Sequence, residues 1–445
     1  MLGEVQLRQL TERALGASSA DETEVLVIAD ESALTRFANS AIHQNVFESG
    51  IEIRVRAVLG TRIGVATTNS TDERALREVV ERAVVSARLA PETPDFRSLP
   101  GPQPIPQAAT FSGATAVYTP ERRARDVKAV CDEAISNGLE ASGAWSMSQS
   151  EVAVANSRGV WAFNARTHAS FKTVIMGPTS SGYAERDGLD ATAIDVGAAG
   201  REAIDKAVRS RDPIAIEPGD YTVVLEPYAV GTMLDYFGGI GLGALAVQEG
   251  RSFMNDHFGE RLLGPNVTLW DDGLDPRGAP MPFDFEGVPK QRVTFFEKGV
   301  ARDVVYDSYT AGRENRHSTG HGLPAPNSWG PVPLNMFLGE GDASRDDLVR
   351  GVERGLWVTR FHYVNVVHPT KAILTGMTRD GTFLIERGEI TRPVHNLRFT
   401  QSVLEALSCV EAIGRDAMML QDEWSGTHVP ALRISRFSFS SATEF

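Results

Sequence analysis

The sequence predicts an α+β protein of two domains. Residues 1–215 are expected to form an N-terminal domain of mixed sheets with helices, and residues 216–445 a curved, β-rich, partly barrel-like C-terminal domain. Three observations carry this. The 445 residues exceed what one core holds, since single cores stop growing at about 250–300 residues. Period-two apolar runs recur in both halves, the mark of half-buried strands. The polar stretch RDPIAIEPGD (211–220), punctuated by two prolines and a glycine, separates a helix-bearing first half from a second half of short strands.

The elements follow in order. EVLVIA (24–29) is a short apolar run. In GIEIRVRAVLGTRIGVATT (50–68), Ile51, Ile53 and Val55, then Val58, Ile63 and Val65, flank a turn at Gly60 and predict a β-hairpin. A helix over about 73–90 follows, opened by a capping box at Ser70-Thr71-Asp72-Glu73 and carrying Leu76, Val79, Val80, Ala83 and Ala87 on one face. Six prolines between 91 and 106 predict an extended connector. Thr119-Pro120-Glu121 starts a second helix, to about 137. SEVAVAN, VWAFNA and ASFKTVIM (150–176) read as strands, with a turn at 157–159, and 191–208 as a third helix. In the second half YTVVLEP is a strand and 229–250 a glycine-rich helical segment. RVTFFEKGVARDVV, TRDGTFLIERGEITRPV and ALRISRFSFS are strands.

Net charge is −14, from 58 acids and 44 bases. A nucleic-acid binder needs a basic stripe, and none is visible, so no nucleic-acid partner is expected. No run of about 18 apolar residues is present and the first residues lack a signal-peptide pattern, so neither membrane insertion nor export is expected. Two cysteines, Cys131 and Cys409, cannot build a disulfide framework. The expected location is the cytoplasm.

Several motifs invite a chemical reading. ENRHSTGHG (314–322) places His317 and His321 four apart, the spacing of a helical zinc pair. Ser, Thr and Gly between them, and Pro324 and Pro326 beyond, make it a loop instead, expected to be structural, with its imidazoles on backbone groups. A loop lining a substrate cleft is the second reading. The run GTMLDYFGGIGLG (231–243) lacks both dinucleotide-binding and P-loop spacing, which leaves close helix packing. No GxSxG elbow exists. Cys409 sits in an amphipathic helical stretch, SVLEALSCVEAIG, and is expected in the core. Asp271-Asp272-Gly273 reads as a solvated turn, with acid–base work as the alternative.

The hairpin and helix of residues 50–88, the stretch DFEGVPKQRVTFFEKGVARDVVYDSYTAGRENRHSTGHG (284–322) and GTFLIERGEITRPV (381–394) resemble the TldD/PmbA family, over essentially the whole chain. The family was once described as modulators of DNA gyrase, a reading the acidic charge disfavours. The resemblance implies a cytosolic peptidase of two related subunits that closes round flexible peptides. In the TldD half a His-Glu-x-x-x-His helix binds zinc; the TldE, or PmbA, half lacks that motif. Here Val223-Val224-Leu225 and Gly231-Thr232-Met233-Leu234 match the approach to that helix. Asp235, Tyr236 and Ile240 stand at the motif positions of the first His, the Glu and the second His. Isoleucine cannot ligate, and tyrosine is a poor substitute for the water-activating carboxylate. A family cysteine downstream falls near His428.

The resemblance therefore implies a TldE-type subunit with no cofactor of its own, zinc being supplied by a TldD-type partner. A dimer is expected, with that partner or with itself. The loop residues Arg316, His317, Ser318, Thr319, Gly320 and His321, with Asn327 and Trp329, are expected to line the shared cavity or the subunit interface. Two alternatives stay open. In a metal-independent homodimeric hydrolase or tailoring enzyme, Asp235, His317, His321 and His428 would be the acid–base candidates. A peptide-binding scaffold would cleave nothing.

Overall fold

The computed structural model describes residues 1–421 and 425–443. Helix α1 (Glu4–Gly16) precedes a six-stranded sheet, built from β1 (Glu22–Ala38), β2 (Ala41–Leu59), β3 (Arg62–Thr68), β4 (Glu140–Asn156), β5 (Trp161–Met176) and β6 (Ser181–Gly188). Its order is β3-β2-β1-β4-β5-β6, antiparallel throughout. Between β3 and β4 come α2 (Glu73–Leu89), the irregular proline connector, a single turn α3 (Gly113–Ala116) and α4 (Pro120–Ser136); α5 (Val196–Arg209) follows β6. One sheet face, with Val25, Val27, Ile53, Trp145 and Phe171, is covered by the apolar faces of these helices. The opposite face presents Leu26, Val152 and Val154 to Met281, Phe283 and Phe285 of the C-terminal half. Alternation along each strand thus lets one sheet hold two cores.

The C-terminal half begins with β7 (Gly219–Leu225), α6 (Pro227–Gly241) and α7 (Ala244–Gln248). Short strands β8 (Leu269–Asp271), β9 (Val293–Glu297) and β10 (Val300–Ala301), helix α8 (Ser308–Arg313), β11 (Asn335–Leu338) and α9 (Arg345–Arg350) come next. Then follow β12 (Arg354–His368), β13 (Ile373–Glu386), β14 (Glu389–Pro393), β15 (Leu397–Ser402), α10 (Val403–Ser408), β16 (Val410–Gln421) and β17 (Gly426–Ala442). Strand β7 pairs with β12 in parallel and with β17 antiparallel, so β7-β12-β13-β15-β17 closes into a ring. Helix α6 is apolar on most sides because it packs into the largest core, where Val230, Met233, Leu234 and Phe237 are buried. The α+β class and the barrel-like second half are as the sequence predicts.

Local details differ. Strands β1, β2 and β4 run 17, 19 and 17 residues, well beyond the apolar runs that signal them, because each is paired along most of its length. The capping box at 70–73 does not form: the Ser70 hydroxyl bonds Asp72, which is itself the N-cap and makes no side-chain cap. The Thr119 cap does form, accepting from the Arg122 amide. The helical reading of 229–250 breaks at Leu242 and Gly243. The helix before Cys409 ends at Ser408, and the following VEAIG enters β16, leaving Cys409 half-buried against the core.

Candidate functional site

Polar side chains converge where α6 leaves β7 and meets the N-terminal sheet. Glu226 caps the end of β7 and accepts Lys206 Nζ at 2.6 Å and Trp357 Nε1 at 2.5 Å. Lys206 also donates to Glu202, which takes Arg186 as well. Those two cations overcome the burial of Glu202 and hold its carboxyl down at about 2. The hydroxyl of Tyr228, the second residue of the helix, accepts from Arg186 and donates to Glu202. This network fixes the start of α6 against β6 and α5.

Beside it lies a small cavity of about 170 Å³, lined by Lys172, Tyr183, Glu185, Tyr228, Asp235 and Arg360 among others. Lys172 Nζ lies 2.7 Å from Glu185, whose other oxygen accepts the Tyr183 hydroxyl at 2.5 Å. Burial first, then the neighbouring Asp187, pushes the Glu185 carboxyl up to about 7. Arg360 is anchored on Asp380 and lies 4.3 Å over the Tyr183 ring. Glu185 and its neighbours were missed from sequence. The signal was present: Tyr183, Glu185 and Asp187 alternate on one strand between two glycines, and their burial puts charge where a strand should bury apolar groups.

Asp235 opens on this cavity and accepts from the Thr427 hydroxyl. Tyr236 turns away and donates its hydroxyl to the Val364 carbonyl at 2.7 Å. Ile240 packs against the core. These three positions do not fit a zinc ion. One side chain cannot ligate, one is engaged with a backbone carbonyl, and the third offers a single carboxylate. Among the described residues no three His, Cys, Asp or Glu side chains converge as a metal would need. His428 lies outside the cluster. Thr427 faces α6, so the next residue along the strand faces away, and its ring meets Phe337 at 5.3 Å.

The 314–322 segment is a loop, but its two histidines part company. His317 is exposed and lines a cleft of about 1140 Å³ with Arg97, Arg313, Arg316 and Ser318. His321 is wholly buried; its Nε2 lies 2.9 Å from Asp271 Oδ1. The reading of Asp271-Asp272 as a solvated turn is thus corrected at Asp271, whose Oδ2 accepts the Leu334 and Asn335 amides. Burial opposes both charges. His321 and Lys290 nonetheless hold the Asp271 carboxyl below its usual value, while burial and Lys290 hold the imidazole neutral by lowering its pKa. The carboxylate can only accept, so the neutral ring carries its proton on Nε2, and Nδ1 accepts from Thr319 at 2.9 Å. An Asp-His-Thr chain of this kind resembles a nucleophile relay, yet Asp271 and His321 have no solvent exposure and the half-buried Thr319 hydroxyl is held by the Tyr306 amide. Its work is structural. It locks the loop onto Asp284, which accepts the Gly322, Glu286 and Val288 amides.

Asn327 and the exposed Trp329 form their own turn, Asn327 accepting the Trp329 amide. Asn327 lines a neighbouring cavity that shares Arg97 and Ser308 with the His317 cleft. The loop therefore reaches solvent at Arg316, His317 and Ser318, while Gly320 and His321 are buried in the frame behind it.

The chain resembles known proteins along most of its length. Sequence profiles described as PmbA/TldA metallopeptidase domain 1, central domain and C-terminal domain match residues 23–87, 117–211 and 218–441. An uncharacterised protein of Methanocaldococcus jannaschii is 27% identical over 341 residues, covering 75% of this chain and 78% of its own length. A metalloprotease of Synechocystis is 24% identical over 387 residues, 79% of this chain and 78% of that protein. Other relatives align over less: a TldD homologue of Buchnera aphidicola is 28% identical across 47% of this chain and 43% of its own. Among solved structures, TldE from Thermococcus kodakarensis superposes with a TM-score of 0.88 at 20% identity, covering 98% of this chain and 99% of that one.

Proposed function

Because the chain belongs to the PmbA/TldD metallopeptidase family, we propose that it is the metal-free, TldE-type subunit of a cytoplasmic two-subunit peptidase acting on unfolded or flexible peptides. A TldD-type partner would bring the zinc ion, its activated water and the general base. One observation supports the reading: at the motif positions α6 carries Asp235, which lines a cavity, Tyr236, whose hydroxyl is taken by the Val364 carbonyl, and Ile240, which packs against the core.

On this reading the chain binds and orients. The clefts beside the 314–322 loop, with Arg97, Arg313 and Arg316 at their rims, offer donors to peptide carbonyls. Peptide hydrolysis needs both subunits. The test is purification of the chain alone and with a TldD-type partner. Zinc analysis and cleavage of an unfolded peptide are then read on each preparation. Cleavage by the pair, and neither zinc at about one per chain nor cleavage by the chain alone, is expected. Turnover from the chain alone overturns the proposal.

A metal-independent hydrolase remains as a second reading because of Glu185, a buried carboxyl at about 7 beside Lys172 and Asp235. It requires turnover by the chain alone that Glu185→Gln abolishes.

A further inference from the structure

A cavity of about 460 Å³ lies between β3, the proline connector, α7 and the segments 307–309 and 323–330. Its walls are apolar: Ile63, Val65, Phe96, Leu245 and Leu323 all reach it. Its floor is charged, for Glu286 and Asp307 are only 6% and 8% exposed and both line it. Glu286 is fully engaged, one oxygen on Arg56 and the other on the Ser308 amide. Asp307 is half engaged. Its Oδ1 accepts the Thr310 amide and hydroxyl, capping α8, and its Oδ2 accepts nothing among the described residues.

The charge balance points the same way. Arg56 bridges Glu24 and Glu286 at 2.6 and 3.1 Å and also acts on Asp307, so one guanidinium serves three buried carboxylates. Burial, and then Glu286, keeps the Asp307 carboxyl above its usual value. That is the condition of a buried acid short of a counter-charge. A metal ion is a poor occupant. The floor already holds a guanidinium, and no three ligating groups converge there among the described residues. An organic cation on an apolar stem suits both walls and floor.

We propose that this cavity binds the lysine or arginine side chain of a peptide, the stem against Phe96, Leu245 and Leu323 and the cationic head on Asp307 Oδ2. Arg97 stands at the mouth, where this cavity meets the His317 cleft, and offers its donors to the peptide backbone rather than to the head group. The site is separate from α6, and the proposal does not rest on the peptidase reading, because it is measured as binding by this chain without hydrolysis.

The experiment is calorimetric titration of the full chain with Nα-acetyl-lysine amide, Nα-acetyl-norleucine amide and cadaverine. The lysine derivative should bind at least about tenfold more tightly than its uncharged analogue, the worth of one charge-assisted hydrogen bond. Cadaverine should bind no more tightly than the lysine derivative. Asp307→Asn keeps a side chain fit for the cap and should erase the preference. Should that variant not fold, Val65→Phe narrows the cavity without altering charge and should weaken both acetylated ligands. Equal binding of the two acetylated ligands overturns the proposal, as does a preference that survives the substitution. Tighter binding of cadaverine assigns the cavity to a free diamine and overturns the peptide assignment.

Discussion

His321 Nε2 lies 2.9 Å from Asp271 Oδ1, fifty residues away in sequence, and neither side chain is exposed to solvent. Asp271 also accepts two backbone amides at the start of β11. Removing the carboxylate strands an imidazole and two amides in the interior at once. Asp271→Ala should cost about 3–5 kcal/mol, as breaking a buried pair does. The denaturant midpoint measures it, and a loss below about 1 kcal/mol would show that the pair is dispensable.

Arg56 ties the N-terminal sheet to the C-terminal half through Glu286 while sharing Glu24 within its own sheet. Arg56→Met leaves carboxylates buried without a partner and should destabilise by several kcal/mol, on the order of 3–5. The proline connector at 91–106 bridges the same two halves, so limited proteolysis there should accelerate in this variant before global unfolding sets in.

Two glycines with positive φ make a controlled comparison. Gly60, at φ 60°, has open space where a Cβ would go, whereas at Gly320, φ 76°, a Cβ would stand 2.3 Å from the Pro289 carbonyl oxygen. Gly60→Ala should cost only the left-handed backbone penalty, roughly 1–2 kcal/mol. Gly320→Ala adds a backbone clash and should cost roughly 3–5 kcal/mol. Equal losses would mean that the 314–322 loop yields easily.

Glu185 gives stability a pH dependence of known sign. Its carboxyl is raised from 4.5 to about 7, so the folded chain keeps a proton that the unfolded chain has released. The contribution is complete below the unfolded value and is lost as pH rises through about 7. Glu185→Gln removes this term. Relative to wild type, the variant should therefore gain stability between pH 4.5 and pH 8, by on the order of 2–3 kcal/mol. Paired unfolding curves at the two pH values decide it, and a difference of opposite sign would place the Glu185 carboxyl below its ordinary value.

Tyr236 stands where a catalytic glutamate would, but its hydroxyl serves the Val364 carbonyl. Tyr236→Phe should cost about 1 kcal/mol of stability, the net worth of one hydrogen bond. In the proposed pair it should leave peptide hydrolysis within about twofold of wild type, since about 1.4 kcal/mol in the barrier corresponds to tenfold. A tenfold fall in kcat would give the hydroxyl a part in the chemistry.

What could be read in advance divides by range of interaction. The Gly60 hairpin, α2 and the Thr119-Pro120 start of α4 depend on neighbours within a few residues, and all three are legible in the sequence. Asp271 was misread because its burial is decided by His321 and by the amides before β11, far along the chain. The outer ends of β1, β2 and β4 are polar and carry no strand signal; they are strands because a partner lies alongside. Asp235, Tyr236 and Ile240 all lie on α6, where motif comparison puts them side by side, but only the structure shows what each side chain meets. The cavity facing Asp235 was not foreseen, since Lys172 and Glu185 face each other across β5 and β6 while Arg360 comes from β12, far along the chain. His428 turns away from α6 because its neighbour Thr427 faces it, and in a strand a single step reverses the face.

Ring closure in the C-terminal half also sets an order of events on the ribosome. The six strands of the first sheet are complete by Gly188, so that unit can condense while the rest is still being translated. Strand β7 cannot: its antiparallel neighbour is β17, about two hundred residues later, and until that strand emerges from the exit tunnel β7 has an open flank. Throughout this interval the nascent chain displays Val223, Val224 and Leu225 on an unpaired edge, a template for other unfinished chains. Ribosome stalling within residues 226–425 would therefore leave an aggregation-prone intermediate, whereas stalling before residue 219 would leave only the first sheet and its helices.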